Sequence, residues 1–298
     1  MNDIRQFLKV NKKKIEILQK GNKGTPIIVL TGMGCSFDEW KGVTESLCKT
    51  NRIILFHRPG LGESEIGSEI RNTQTTINEL SDILHQLKIY EPVILVGHSY
   101  GGLCVQHFAI EKPEKVAGIV LVDSTSVDLK ELDELDMDGL DEGETDEDWI
   151  KKCLEFSTME QEQLRKIINP TLTDKQKQFP RNIQERLIDF QIKPSLYKAM
   201  HSEISNWKKD AEMIKAFGNF SNVPLIVIGR DKEYNIKLGT MEGLPEVKLR
   251  LLEEKWQELI KKQGKLSKNS ELIIAMNATH AIHLDRPDVI IESINKLI

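Results

Sequence analysis

The stretch that decides the fold is Val93-Ile94-Leu95-Val96-Gly97-His98-Ser99-Tyr100-Gly101-Gly102. A run of β-forming residues ends at a serine with a glycine two residues before it and another two residues after it. This is the G-x-S-x-G pattern, and a helix-compatible stretch follows it. A side chain at position 97 or 101 would meet neighbouring backbone in so tight a turn, so glycine fits both positions. We therefore expect the Ser99 hydroxyl to stand above the edge of a sheet as a candidate nucleophile, and we disfavour an ordinary Gly/Ser turn.

The bulk composition excludes several classes of partner. The chain has 298 residues, 39% of them hydrophobic, and a formal net charge of −5, so nothing suggests nucleic acid as a partner. Its four cysteines lack CxxC spacing, which argues against a zinc site or a disulfide framework. The first residues lack an apolar signal core, and no stretch approaches the roughly 18 apolar residues that a membrane span needs. We therefore expect a cytoplasmic protein without a membrane partner.

Strands and helices alternate over most of the chain. Two short strands are predicted over residues 6–10 and 14–19, joined by a turn. Continuous apolar runs, typical of strands buried on both faces, cover residues 26–30, 52–56, 92–96, 116–122, 224–228 and 272–275. Helical spacing is found over residues 37–48, 75–87, 100–111, 245–263 and from about 288. This alternation predicts an α/β fold with a mostly parallel sheet and helices on both of its faces.

The alternation stops between residues 124 and 222, where the sequence is polar and helical in pattern. We predict a core formed by residues 1–123 and 222–298, with a helical cap inserted over 124–221. Within the cap, residues 128–148 contain twelve acidic residues and one lysine, a composition typical of a solvated face. Six aromatic residues of the cap could line an apolar pocket or form the cap's own core: Trp149, Phe156, Phe179, Phe190, Tyr197 and Trp207.

A serine hydroxyl is a weak nucleophile near neutral pH and needs a base beside it. Of the seven histidines, His280 has the best context, because it follows the apolar run 272–275 and so should lie at the same sheet edge as Ser99. His283 is its neighbour and competitor, with packing or hydrogen bonding as its expected role. His98 is expected to point into the structure beneath the turn.

A tetrahedral intermediate also needs N–H groups to hold its oxyanion. The Tyr100 amide is one candidate, because it lies at the start of the predicted helix, where backbone donors lack partners. The second candidate is the Met33 amide in Thr31-Gly32-Met33-Gly34, the loop after the strand at 26–30. An ordinary glycine-rich turn is the alternative interpretation of that loop.

Taken together, these motifs resemble the α/β-hydrolase fold family, in its serine-nucleophile branch. The resemblance covers about residues 24–123 and 222–298 and leaves the cap unmatched. It depends on Leu30-Thr31-Gly32-Met33-Gly34 with Trp40, His57-Arg58-Pro59-Gly60-Leu61-Gly62-Glu63-Ser64, Gly97-His98-Ser99-Tyr100-Gly101-Gly102, and His280 with Asp285-Arg286-Pro287. Two positions depart from the family: Thr31 stands where many members have histidine, and His57 where many have aspartate.

The family implies a third catalytic residue, an acid that orients the histidine. Its usual place is a Gly-x-x-Asp pattern after the strand at 224–228, but Gly229-Arg230-Asp231-Lys232 has lysine there and aspartate one residue early. Some branches place the acid after the preceding strand, which here ends at Asp123. We favour Asp123 and keep Asp231 as the alternative; either carboxylate could instead only cap the next helix.

The resemblance implies hydrolysis of a small-molecule acyl substrate, most economically an ester, through an acyl-enzyme on Ser99. This chemistry needs no metal or organic cofactor, so we expect none. Serine at position 99 argues against epoxide-hydrolase chemistry, for which the fold uses an aspartate. Amide or aminopeptidase chemistry and C–C bond hydrolysis stay open, because the same machinery serves them. A non-catalytic scaffold or receptor of this fold is the alternative from another class.

Overall fold

The computed structural model describes residues 4–135, 145–218 and 222–298. Its strands are β1 (Ile4–Val10), β2 (Lys13–Lys20), β3 (Pro26–Leu30), β4 (Arg52–Phe56), β5 (Val93–His98), β6 (Val116–Val122), β7 (Leu225–Arg230) and β8 (Ser270–Ala275). In these described residues they form one sheet in the order β1-β2-β4-β3-β5-β6-β7-β8. β2 pairs antiparallel with β1 and β4, and every later pair is parallel. The predicted, mostly parallel sheet is confirmed.

The central strands bury both of their faces, as their continuous apolar sequences predict. Because successive side chains of a strand point to opposite faces, Ile28 and Leu30 of β3 join one hydrophobic cluster, and Ile27 and Val29 join another. The sheet is therefore the middle layer of three. Its parallel strands end at a common edge, and the loops that leave this edge are the ones that contain the candidate site residues.

The helices of the described residues are α1 (Lys41–Leu47), α2 (Thr73–Gln86), α3 (Tyr100–Glu111), α4 (Asp146–Ser157), α5 (Gln161–Ile168), α6 (Arg181–Gln191), α7 (Pro194–Phe217), α8 (Lys232–Met241), α9 (Glu246–Gln263), α10 (Ile282–Asp285) and α11 (Pro287–Asn295). Residues from α2, α3 and α9 pack in the cluster on one face of the sheet. Residues from α1 and α11 pack in the cluster on the other face. The predicted helix over 37–48 is divided into a 3₁₀ turn over Phe37–Trp40 and α1. The sequence did not predict α8 or α10.

Four helices, α4 to α7, lie between β6 and β7 in the described part of the predicted cap. They have a hydrophobic cluster of their own, which includes Leu164, Phe190 and Leu196 from these helices and Leu61 from the core. Residues 136–144, the middle of the acidic run, lie outside the described residues. Among the helices that are described, none is long and apolar enough to cross a membrane.

Candidate active site

Ser99 lies at the sharp turn between β5 and α3. Its φ is +51° and its ψ is −125°, a backbone conformation that residues with a Cβ rarely adopt. The flanking glycines make the turn possible: a Cβ on Gly97 would lie 2.5 Å from Gly102 Cα, and one on Gly101 would overlap the carbonyl oxygen of Leu30. The turn is held by hydrogen bonds from the Ser99 amide to Val122 O (3.2 Å) and from the Gly102 amide to Ser99 O (2.8 Å).

His280 and Asp123 meet at this edge of the sheet, although 157 residues separate them in the chain. Asp123 directly follows β6, and His280 lies in the loop after β8. The distance from His280 Nδ1 to Asp123 Oδ2 is 2.6 Å. The Asp123 side chain is fully buried, whereas the His280 side chain is 41% exposed. The contact therefore orients the imidazole, and its other nitrogen, Nε2, makes no hydrogen bond within the described residues.

Asp123 is surrounded by donors. Its Oδ1 accepts hydrogen bonds from the Trp256 indole (2.9 Å) and the Arg230 amide (3.2 Å), and its Oδ2 lies 3.3 Å from Arg230 Nη1. Burial alone would raise the pKa of Asp123, but the Arg230 charge, His280 and the Trp256 hydrogen bond outweigh it and lower this pKa to about 2. The group is therefore a carboxylate at neutral pH.

Asp231 has a different role in the structure. Its Oδ1 accepts from the Tyr234 amide (3.2 Å) and caps α8, and its Oδ2 accepts from the Asn277 amide (3.0 Å). Within the described residues, it makes no hydrogen bond to His280. The structure thus brings His280 to Asp123 and leaves Asp231 as a helix cap.

The two candidate oxyanion donors flank Ser99. Gly32, in the loop after β3, is so close that a Cβ built on it would lie 3.1 Å from Ser99 Cβ. Met33 follows in that loop, and Tyr100 begins α3. Among the described residues, neither the Met33 nor the Tyr100 amide donates a hydrogen bond to another protein group. Both N–H groups are therefore unpaired within the described residues, as the prediction of an oxyanion site requires.

Ser99 and His280 line one cavity of about 240 Å³. The rest of its wall is apolar or hydroxylic and consists of Ser124, Thr125, Ser126, Leu129, Leu132, Trp207, Trp256, Leu259 and Ile260. No carboxylate and no lysine or arginine is among these described lining residues. The Ser99 hydroxyl and the His280 imidazole are not hydrogen-bonded to each other in the described structure. Such contacts are often long before substrate binds and shorten in the complex.

Comparisons with known proteins agree with the described fold. A family model, described as the alpha/beta hydrolase fold, matches residues 25–158. A putative lipase of Acinetobacter baumannii has a similar structure, with a TM-score of 0.69 at 16% identity over 99% of this chain and 90% of that one. A putative epoxide hydrolase of Pseudomonas aeruginosa has a TM-score of 0.68 at 15% identity over 99% and 95%. The chain has the α/β-hydrolase fold.

The uncharacterized protein YqjL of Bacillus subtilis is similar to this α/β-hydrolase-fold chain over most of its length. It is 22% identical over 272 residues, which cover 91% of this chain and 83% of that protein. The resemblance predicted from the four motifs is confirmed. The likeness to solved structures shows the fold and not the reaction, since a putative lipase and a putative epoxide hydrolase are equally similar.

Three other histidines of this α/β-hydrolase-fold protein, His57, His98 and His283, have structural contacts. His98 is buried, and its Nε2 lies 2.9 Å from His280 O. Burial, reinforced by the neighbouring His280 and His283, lowers the pKa of His98 well below its usual value, so His98 is neutral and donates to that carbonyl. His57, where many family members have aspartate, is also buried; its Nδ1 lies 2.7 Å from Glu16 Oε2. His283 is buried and stacks on Trp40 with ring centroids 4.9 Å apart.

Two residues that contact Asp123, Arg230 and Trp256, were not predicted as site residues. Arg230 ends β7, the strand beside β6, and this position was the available signal in the sequence. Trp256 lies on α9, which the sequence predicted only as a helix. Of the six cap aromatics, only Trp207 lines the cavity with Ser99. Trp149, Phe156, Phe190 and Tyr197 belong to the cluster that contains Leu164 and Leu196.

Proposed function

We propose that the protein is a serine hydrolase that cleaves a small-molecule carboxylic ester. In this mechanism His280 Nε2 takes the proton of the Ser99 hydroxyl as Ser99 Oγ attacks the substrate carbonyl. The Met33 and Tyr100 amides hold the resulting oxyanion. His280 then gives the proton to the leaving alcohol, and water, deprotonated by the same imidazole, releases the acid from the acyl-enzyme.

The observation that supports this proposal best is the 2.6 Å contact between His280 Nδ1 and the buried Asp123 carboxylate. The contact fixes the tautomer in which Nδ1 bears the proton and Nε2 can accept one from serine. It also offsets the charge that the imidazole gains during the attack. A purely non-catalytic scaffold has no need of an ionised carboxylate at this place.

The cavity wall favours an uncharged, apolar acyl or alcohol group as substrate. Leu129, Leu132 and Leu259 provide aliphatic surface, and no carboxylate is among the described lining residues to bind a free amine. We therefore prefer an ester to an aminopeptidase substrate. Trp207 reaches the cavity from α7, which supports a cap formed by residues 124–221 over a core of 1–123 and 222–298. The putative epoxide hydrolase shares only the fold, because serine rather than aspartate is at position 99.

A fluorophosphonate probe tests the proposal directly, since it reacts with an activated serine. We expect covalent labelling of the wild type at Ser99 and hydrolysis of p-nitrophenyl butyrate, with both lost in Ser99→Ala. Removal of the nucleophile lowers kcat by about 10⁴-fold or more in enzymes of this type. Mass spectrometry locates the label, and circular dichroism checks the fold of the variant. A folded wild type that is neither labelled nor active on short-chain esters contradicts the proposal and favours the scaffold.

A further inference from the structure

Arg58 is a charged residue buried directly beneath the loop that contains Met33. It follows β4 by two positions and is 1% exposed. Its Nη1 donates to Thr31 O (2.6 Å) and its Nη2 to Gly32 O (3.0 Å). One guanidinium thus holds two successive carbonyl groups of the candidate oxyanion loop.

The bond to Gly32 O fixes the direction of the Met33 amide. The carbonyl of Gly32 and the N–H of Met33 belong to one peptide group, which is planar and trans. In such a group the C=O and N–H bonds point in opposite directions. While Arg58 holds the Gly32 oxygen, the Met33 N–H must therefore point away from the guanidinium, and it cannot turn without breaking that bond.

Glu203 in turn holds Arg58. Its Oε1 lies 2.7 Å from Arg58 Nε and its Oε2 lies 3.1 Å from Arg58 Nη2, a two-point contact that sets the plane of the guanidinium. Both side chains are buried, so this ion pair is shielded from solvent. Glu203 lies on α7, the helix of the insertion that also brings Trp207 to the cavity wall.

We propose that Glu203 acts through Arg58 as a positioning residue, holding the Gly32–Met33 peptide so that the Met33 amide faces the developing oxyanion. The proposal rests on the hydrolytic mechanism above for the identity of the oxyanion. α7 thus lines the substrate cavity through Trp207 and, through the Glu203–Arg58 pair, orients a donor that is needed in the transition state. Neither residue touches the substrate.

Kinetics of Glu203→Gln test the proposal. This variant keeps the size of the side chain but removes one of its two acceptors and its charge. Loss of one oxyanion donor costs about 10²–10³-fold in kcat, so a donor that is only misaligned should cost about 10–100-fold. We expect that loss in kcat for p-nitrophenyl butyrate, with KM within about threefold, since the donor acts on the transition state. Affinity for an alkyl trifluoromethyl ketone, which forms a tetrahedral adduct on serine, should fall by a similar factor.

Glu79→Gln is the matched control. Glu79 makes an equally buried two-point pair with Arg71, with both N–O distances 2.7 Å, and it does not contact the oxyanion loop. We expect it to lower stability and leave kcat within about twofold of wild type. If Glu203→Gln does not fold, Glu203→Asp is the second variant. Its side chain keeps the charge but is one methylene shorter, and we expect a smaller loss in kcat of about tenfold. Equal losses in kcat for Glu79→Gln and Glu203→Gln would overturn the proposal.

A second readout does not depend on activity. The ¹⁵N relaxation dispersion of the Met33 amide reports rotation of its peptide group on the μs–ms timescale. We expect no exchange at Met33 in the wild type and in Glu79→Gln, and clear exchange in Glu203→Gln. An inactive, unlabelled wild type with this pattern at Met33 would refute the hydrolytic mechanism but support the link between Glu203 and the loop. An unchanged Met33 signal in Glu203→Gln refutes the link even in an active enzyme.

Discussion

Asp123 and Asp231 follow neighbouring strands, yet their surroundings give them different chemistry. Arg230, Trp256 and His280 surround Asp123 with donors, and the pKa of this fully buried carboxyl is lowered to about 2. The carboxylate of Asp231 instead accepts from two backbone amides near α8. A carboxylate assists a catalytic histidine only when it contacts that histidine. The two aspartates therefore differ in role because of their surroundings, not because of their residue type.

We predict that Asp123→Asn lowers kcat for p-nitrophenyl butyrate by about 10³-fold or more, because an amide cannot stabilise the imidazolium and favours the wrong tautomer. Asp231→Asn is the control and should keep kcat within about threefold of wild type. We expect a loss of about 1 kcal/mol in the free energy of unfolding, because the amide can still cap α8 with its oxygen but can no longer accept from both backbone amides. Steady-state hydrolysis of p-nitrophenyl butyrate measures kcat, and urea denaturation measures the free energy of unfolding. A collapse of kcat in Asp231→Asn alone would show that the acid is misassigned.

Sequence reasoning placed Ser99 and His280 at one edge because each follows a clear apolar strand. It left the acid open, since the choice depends on which side chain the fold brings to His280. The register of β6 and β7 determines which residues surround Asp123. The Asp123 amide donates to Ile228 O (2.7 Å), and this places Asp123 beside the end of β7 and Arg230. Cross-strand register and contacts over 157 residues are properties of the folded chain that no local motif contains.

At the scale of elements, the turn from β5 to α3 combines a strained serine with flanking glycines. The positive φ of Ser99 lowers the stability of the fold by about 1–3 kcal/mol. Such a conformation persists only where the surrounding residues are well packed. Val93, Leu95 and Leu103 are fully buried in the same cluster and fix the strand and the helix on either side of the turn. The motif therefore depends on the packing of both elements as well as on its glycines.

Gly101→Ala tests that dependence. The added methyl group would overlap the Leu30 carbonyl oxygen, so backbone must move, and we predict a loss of about 2 kcal/mol or more in the free energy of unfolding. Gly42→Ala, on α1, is the matched control: the nearest atom to its new methyl group is Pro287 Cβ at 3.7 Å, and we expect a gain of about 0.5 kcal/mol. Urea denaturation measures both. An equal, small effect of the two changes would contradict the described turn.

Elements were predictable where the hydrophobic pattern was strong. The buried strands and α9 follow from continuous or periodic apolar residues. α8 was missed because only Ile236 and Gly239 of its residues are buried, so it has little apolar periodicity to detect. Its start is marked instead by the Asp231 cap, which the sequence analysis considered as a catalytic acid.

At the scale of the whole molecule, buried and partly buried ion pairs join α6 and α7, which lie between β6 and β7, to the rest of the chain. One is Arg58 with Glu203. In another, Arg186 of α6 contacts Asp38 Oδ2 (2.9 Å) and Glu16 Oε1 (2.7 Å), two buried carboxylates that Arg5 also contacts. The two residues of each pair are far apart in the sequence: 145 residues separate Arg58 from Glu203, and 170 separate Glu16 from Arg186. Composition predicted a polar insertion, but these pairings depend on how the insertion packs against the core and were not predictable.

We predict that Arg186→Leu loosens α6 specifically. The change leaves Glu16 and Asp38 buried with Arg5 as their remaining shared arginine, and a loss of about 2–4 kcal/mol is expected for breaking such a network. Amide hydrogen exchange followed by mass spectrometry should show that protection over Arg181–Gln191 falls at least tenfold. The protection of α3, which packs on one face of the sheet, should stay unchanged. Arg181→Leu on the same helix is the control. Among the described residues Arg181 pairs only with the exposed Glu185, so its loss should leave exchange unchanged. An equal loss of protection in α6 and α3 of Arg186→Leu would contradict this prediction. It would mean that both helices unfold together and that the Arg186 contacts do not stabilise α6 locally.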